Sequence, residues 1–188
     1  MARVRRGRGG IVVALDAAEA ELLRRMLDEL CGELRARLPG RPGDGDARED
    51  VGDSVGAAFD TQGPTAPPED PALARLLPDA YSDDPAAAAE MRRLTEPDLV
   101  QAKLDAATAV GSALLPTGGK LILDQQSGAA WLAALNDLRL LLGTRLGVTE
   151  DGDPFGGHRP NESAAAPYVV YHWLTGLQDR LVGTISAG

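Results

Sequence analysis

Leucine residues at helical spacing dominate this sequence and restrict the folds that it can adopt. Between residues 16 and 38, apolar side chains recur at intervals of three and four, as one face of an α-helix requires. Trp131 begins a second such series, which ends at Leu146. The two series are Leu22, Leu23, Met26, Leu27, Leu30, Cys31, Leu34 and Leu38, and Trp131, Leu135, Leu138, Leu142 and Leu146. With only 4% aromatic residues in the chain, these leucine faces are expected to supply most of the core.

The ends of the predicted helices are marked by capping residues, proline and glycine. Asp16 is suited to cap the first helix, and Glu19 three positions later completes a capping box. Thr95 is predicted to cap a separate helix, because Glu96 and Pro97 suit a first turn. The predicted helices cover residues 16–38, 71–77, 85–94, 95–114 and 124–146, and a last helix starts near Ser163 with Pro167 in its first turn.

The first fifteen residues are predicted to form a β-hairpin. Two short runs of strand-forming residues, RVRR at 3–6 and IVVAL at 11–15, lie on either side of a glycine-rich turn. Because an isolated hairpin is only marginally stable, it should pack on helices or gain a third strand, for which residues 120–123 are the best candidate. The sequence predicts a mainly α protein: an antiparallel helical bundle with a small N-terminal hairpin, or with a three-stranded sheet.

Two segments differ in composition from the rest of the chain. The length of 188 residues fits a single domain spanning residues 1–188. Within it, residues 39–70 are acidic, rich in Gly and Pro and almost without large apolar side chains, so we predict a disordered insertion there. Residues 148–162 are predicted to form a polar linker.

Charge also separates the N-terminus from the rest of the chain. The net charge is −9, yet residues 1–15 contain no acid and hold four arginines, Arg3, Arg5, Arg6 and Arg8. These arginines are candidates for binding an acidic protein partner or phosphates, and the alternative is a solvated basic hairpin. Because proteins that coat DNA are usually basic overall, direct DNA binding through this arm is the weaker hypothesis.

Few residues of this sequence are suited to catalysis or metal binding. One cysteine excludes an internal disulfide and a multi-cysteine zinc site, and neither of the two histidines has a second histidine at helical spacing. Phosphate-binding loops and serine-nucleophile motifs are also missing. The sequence predicts a protein that is not an enzyme and needs no cofactor or metal; an enzyme using carboxylates such as Asp137 is a third hypothesis. A cytoplasmic location is expected, because neither a signal peptide nor a membrane-spanning run is present.

Two features interrupt the leucine faces. Cys31 is a candidate redox thiol, which would form a mixed disulfide with an external thiol, and its alternative role is an inert core side chain. Asn136, Asp137 and Arg139 lie between leucines of the 124–146 helix. We predict that they form a hydrogen-bond network with a neighbouring helix, the alternative being a partner or ligand site.

Three stretches of the chain resemble the actinobacterial DUF2017 family. They are RVRRGRGGIVVAL at 3–15, WLAALNDLRLLLGTRLGV at 131–148 and YHWLTGLQDRLV at 171–182. The family-motif residues, for which we expect structural roles, are Trp131, Asn136, Asp137, Arg139 and Trp173. The resemblance covers most of the chain outside residues 39–70.

This resemblance implies a cytoplasmic helical protein that regulates the oxidative-stress transcription response through protein contacts. A component of the transcription machinery, such as a sigma factor, would be the partner, and a homodimer is compatible with the wide apolar faces. Because the chain has one cysteine, either Cys31 senses oxidants together with an external thiol, or this family member does not sense them.

Overall fold

The computed structural model describes residues 2–38, 63–148 and 162–187, except for the side chains of residues 162–164. Its elements, in chain order, are β1 (Arg3–Gly7), β2 (Gly10–Leu15), α1 (Ala17–Arg35), α2 (Pro71–Leu76), α3 (Pro85–Ala113), β3 (Gly119–Leu123), α4 (Gln125–Arg145) and α5 (Glu162–Ser186). The predicted fold class, a helical bundle with a small sheet, is therefore confirmed.

The sheet is antiparallel with the strand order β1-β2-β3. β1 and β2 are joined by a two-residue turn, and Gly7 pairs with Gly10 across it. Gly9 in this turn has a φ of +96°, which an L side chain rarely adopts, so glycine is required there. The predicted third strand is also confirmed: β3 pairs with β2, with Val13 opposite Leu121.

The helix α1 begins as its sequence predicts. The Oδ1 atom of Asp16 accepts a hydrogen bond of 2.9 Å from the Glu19 backbone N–H, and the Asp16 N–H donates back to Oε2 of Glu19 over 3.0 Å. This reciprocal pair is the expected capping box. The helix ends at Arg35, three residues before the predicted end at Leu38.

The prediction of a helix break at Thr95 is wrong, because α3 runs without interruption from Pro85 to Ala113. Thr95 does not cap a helix; its hydroxyl donates to the Met91 carbonyl one turn earlier. Pro97 has no N–H, so it leaves the carbonyl of Arg93 without its helical partner. The backbone N–H of Gly63 donates to that carbonyl over 3.1 Å. A partner from outside the helix thus allows α3 to continue through its proline.

The helices enclose a core built largely from leucine. α3 and α4 pack on each other, α1 packs on α3, and α5 packs on both α4 and β1. Trp131, Leu135 and Leu138 of α4 are buried, as are the inner leucines of α1 and α5. The start of α5 at Glu162 agrees with the prediction, but Pro167 is the sixth residue of the helix and therefore lies in its second turn instead of its first.

Residues 39–62 of the predicted insertion and residues 149–161 of the predicted linker lie outside the described residues. At the end of the insertion, Asp70 caps α2 by accepting a 2.8 Å hydrogen bond from the Ala72 N–H. Within residues 2–38, 63–148 and 162–187, no helix combines the length and the apolarity that a membrane crossing requires.

Candidate partner-binding site

The outer face of the sheet is its most basic surface. Side chains alternate between the two faces of a strand, so Arg3 and Arg5 project from the same face of β1. The register aligns Arg3 with Ala14 of β2, and Ala14 in turn with Lys120 of β3. Arg3, Arg5 and Lys120 therefore share one face of the sheet, and all three are exposed. We call this set the basic sheet face.

The basic sheet face surrounds a shallow apolar floor. Its three cations, together with Val12 and Ala14 of β2, line a concavity of about 240 Å³. None of the three forms a salt bridge with any residue that the structure describes. Because unpaired cations retain their full attraction for an incoming anion, this face is suited to acidic groups.

The structure separates the four predicted arginines. Arg6 lies on the opposite face of β1, where its guanidinium donates to the Thr184 carbonyl of α5 over 3.2 Å. There it borders a cavity of about 410 Å³ whose apolar lining includes Ile11, Leu123 and Ile185. Arg8 lies in the turn and is exposed. The predicted arginine group thus divides between two faces and a turn.

Cys31 lies in the core, with 5% of its surface exposed. Burial raises the pKa of its thiol, and the nearby positive charge of Arg35 only partly offsets this effect. The thiol therefore stays protonated and shielded from solvent in the folded protein, whereas the thiolate is the form that reacts with oxidants. Its assignment as a redox thiol stays a prediction, which this environment disfavours.

The polar residues of α4 separate in the structure. Asp137 is buried and accepts a 2.7 Å ion-pair hydrogen bond from Lys103 of α3. Desolvation raises the pKa of Asp137, although Lys103 acts in the opposite direction. Arg139 instead reaches α5, donating to Thr175 over 3.0 Å and to Gln178 over 2.6 Å. These contacts connect α4 to its neighbours on both sides.

The other family-motif residues differ in exposure. Asn136 is exposed on α4, and Trp131 is buried in the core. Trp173 of α5 is half-buried, and its indole N–H donates to Oε1 of Glu19 over 3.1 Å. Since Glu19 also completes the cap of α1, Trp173 connects the last helix to the start of the first one.

Comparison with known proteins identifies the family of this chain. A family model described as a domain of unknown function, DUF2017, matches residues 1–185. The chain belongs to the DUF2017 family. The match includes the sheet, both motif tryptophans and the helices that the structure describes, except for the last residue of α5.

Mycobacterial proteins are similar to this DUF2017 chain. One from Mycobacterium tuberculosis strain H37Rv, called oxidative stress regulator AosR, is 37% identical over 178 residues, which cover 87% of this chain and 77% of that protein. A Mycobacterium bovis protein of the same name has the same identity and coverage. No solved structure matches the chain.

A buried charge network of this DUF2017 protein was not predicted from its sequence. Arg92 and Glu96 of α3 form a buried ion pair, and Arg37, just after α1, donates to Glu96 over 2.9 Å. Arg92 also donates to Asp79 over 2.7 Å and to the Leu77 carbonyl over 3.1 Å. The i, i+4 spacing of Arg92 and Glu96 is typical of a solvated helix face, so spacing alone gives no sign of burial.

Lys120 is a further site residue that the sequence prediction does not include. The sequence predicts Lys120 as part of a third strand, but it does not indicate that this residue lies beside the arginines. Pairing that strand with β2 in antiparallel register would have placed Lys120 on a definite face, because side chains alternate along each strand. The strand order and register, which the sequence does not specify, were the missing information.

Proposed function

We propose that this protein is a non-enzymatic regulator of the oxidative-stress response that acts by binding another protein. The observation that carries this proposal is the similarity, across most of the chain, to proteins named oxidative stress regulators. The partner that we propose is a component of the transcription machinery, such as a sigma factor. The protein acts in the cytoplasm, where that machinery is found.

The basic sheet face supports binding as the mode of action. Arg3, Arg5 and Lys120 are exposed and free of salt bridges with the described residues, and they stand in a chain whose net charge is −9. An isolated basic surface on an acidic protein attracts the acidic groups of a partner. We therefore assign partner recognition to this face.

The buried charges support a structural role over a catalytic one. Asp137 is paired with Lys103, and Glu96 is paired with both Arg37 and Arg92. A general acid or base must reach a substrate, whereas these carboxylates are engaged between packed helices. We therefore assign these carboxylates a role in stabilising the bundle.

Affinity capture from cells tests the proposed function. The tagged full-length protein is recovered from its host before and after peroxide treatment, and bound proteins are quantified by mass spectrometry. We expect enrichment of a sigma factor or an RNA polymerase subunit. Binding is then reconstituted from the purified components. The double variant Arg3→Glu/Arg5→Glu should weaken it about tenfold or more, because each reversal replaces attraction with repulsion.

Arg25→Glu is the matched control for charge reversal. Arg25 is exposed on α1, away from the sheet, so its reversal should leave binding within about twofold of the wild type. Recovery of no transcription protein under either condition would overturn the proposal. So would a complex with duplex DNA that forms without any protein partner and weakens steeply between about 50 and 200 mM salt, as phosphate contacts do.

A further inference from the structure

The free edge of β3 has backbone groups available for pairing. Gly7 and Gly10 flank a two-residue turn and therefore form a hydrogen-bonded pair, and such pairs alternate along antiparallel strands. Because alternate residues of β2 hydrogen-bond to β1, the residues between them hydrogen-bond to β3. Leu121 and Leu123 are therefore hydrogen-bonded to β2, whereas the backbone N–H and C=O groups of Lys120 and Ile122 point away from the sheet. No described residue pairs with those outward groups.

An apolar groove runs beside this edge. It has a volume of about 130 Å³ and lies between β3, the end of α3 and the start of α4. Small side chains, Ala109 and Ala113 of α3 and Ala130 of α4, leave the space open, and the buried Trp131 also lines it. Apolar cavities of about 150 Å³ accommodate a benzene-sized group, so this groove has room for an aliphatic side chain.

The two faces of the edge differ in chemistry. On the outer face, Lys120 is the cation of the basic sheet face that lies on this edge strand, and Ile122 beside it is 64% exposed. On the inner side lies the apolar groove. A strand added along β3 would alternate its side chains between these two surfaces, because neighbouring residues of a strand point to opposite faces.

We propose that the free edge of β3 binds an extended acidic segment of a partner protein by β-strand addition. The segment pairs its backbone with Lys120 and Ile122, places acidic side chains on the outer face beside Lys120 and inserts apolar ones into the groove. This inference rests on the proposed function, since it specifies the surface and the kind of partner segment through which the protein acts.

Charge favours an acidic partner strand over a second copy of this chain. Two copies paired through β3 would join two basic sheet faces, with Arg3, Arg5 and Lys120 of each copy on one continuous surface. Lysine on an edge strand is a common means by which proteins discourage such self-pairing. An acidic residue of an added strand opposite Lys120 instead gains cross-strand attraction, and Arg3 and Arg5 on β1 add attraction at longer range.

Synthetic peptides provide a direct test with the full-length protein. The probe is a fluorescein-labelled heptapeptide that alternates Glu with Val, and its binding is followed by fluorescence anisotropy. One control peptide replaces each Glu with Lys, and another has the same composition as the probe but its glutamates in one block. We expect the alternating acidic peptide to bind about tenfold more tightly than either control.

Substitutions at Ile122 separate backbone pairing from side-chain contact. Ile122→Pro removes the outward N–H without removing a bond to β2, and proline is tolerated on edge strands. Ile122→Thr removes the same apolar side chain but keeps the N–H, so it is the matched control. We expect Ile122→Pro to abolish peptide binding and Ile122→Thr to reduce it less than threefold, with both proteins folded by circular dichroism.

Charge reversal on the strand tests the choice of partner. Lys120→Glu should weaken binding of the Glu peptide about fivefold and strengthen binding of the Lys peptide, a gain that damage to the fold would not produce. In the wild type, hydrogen exchange of the Ile122 amide should slow when the Glu peptide is added, whereas the Leu121 and Leu123 amides should be protected already.

Several results would overturn this inference. They are equal binding of all three peptides, equal binding by the Ile122→Pro and Ile122→Thr variants, and a homodimer that Ile122→Pro dissociates, which would make a second copy the occupant. Duplex DNA binding that competes with the peptide would assign the surface to nucleic acid.

If the peptides do not bind while a transcription protein is still captured from cells, the edge site is wrong and the proposed function stands. If the peptides bind as expected but no such protein is captured, the proposed function is wrong and the edge site stands.

Discussion

Lys103 and Asp137 hold α3 and α4 together through a 2.7 Å ion pair at a buried position. Replacing Lys103 with methionine removes the charge partner and leaves the Asp137 carboxylate buried. We expect the free energy of unfolding at about pH 7 to fall by about 3 kcal/mol, because an uncompensated buried charge is costly. Urea unfolding followed by circular dichroism measures this change. The double variant Lys103→Met/Asp137→Leu is the control, and it should recover most of the loss.

The deficit of Lys103→Met should also depend on pH. Desolvation already raises the pKa of Asp137 in the wild type, and loss of Lys103 removes the opposing effect. For a carboxyl group with a raised folded-state pKa, stability is gained as pH falls through that pKa and is complete below the ordinary Asp value of about 3.9. The deficit relative to the wild type should therefore shrink between about pH 7 and pH 4. A deficit that is the same at both values would contradict this account of Asp137.

Cys31 provides a second prediction at the scale of single residues. Because its thiol is buried and burial raises its pKa, we expect it to react with iodoacetamide or peroxide far more slowly in the native protein than in guanidinium chloride. Mass spectrometry of the intact protein over time measures both rates. Rapid formation of a mixed disulfide with glutathione in the folded protein would instead support Cys31 as a redox thiol.

At the scale of elements, the continuity of α3 depends on the close approach of Gly63. A Cβ atom at this position would lie 2.7 Å from Cδ and Cγ of Pro97 and 2.8 Å from the Arg93 carbonyl oxygen. Gly63→Ala should therefore lower the free energy of unfolding by about 1–3 kcal/mol, because the segment must move away and leave that carbonyl unpaired. Thermal unfolding monitored at 222 nm measures the loss.

Gly32→Ala is the matched control for this substitution. Gly32 lies on the exposed side of α1, where a Cβ atom would meet nothing within 4 Å. Alanine favours helix over glycine, so this variant should gain about 0.5–1 kcal/mol. If both variants changed stability in the same direction, the proposed dependence of α3 on Gly63 would be incorrect.

The sequence was sufficient to predict elements whose signals are local. The cap at Asp16, the leucine faces and the glycine-rich turn depend on neighbouring residues, and the structure confirms all three. The continuity of α3 depends on an N–H from Gly63, distant in sequence from Pro97, and no local pattern contains that information. The same reason applies to the basic sheet face. The sequence was sufficient to predict exposed arginines, but which face of the sheet each occupies, and that Lys120 lies beside Arg3 and Arg5, follows from strand pairing.

At the scale of the whole molecule, the sheet and the helices have different chemical characters. The helices bury a leucine core and hold their buried charged side chains in ion pairs, Lys103–Asp137 and Arg92–Glu96. The sheet instead presents cations that pair with no described acid, beside an edge whose backbone groups are open. We infer that the bundle serves as a rigid support and that the sheet carries partner recognition.

The transcriptional response to peroxide tests this account most directly. A strain lacking the protein is complemented with the wild type, with Arg3→Glu/Arg5→Glu or with Arg25→Glu, and immunoblots confirm equal protein levels. We predict that the wild type and Arg25→Glu restore the peroxide-induced transcript changes, whereas the double variant responds like the deletion strain. Full restoration by the double variant, or an unchanged response in the deletion strain itself, would contradict the claim that this protein regulates the oxidative-stress response through its basic sheet face.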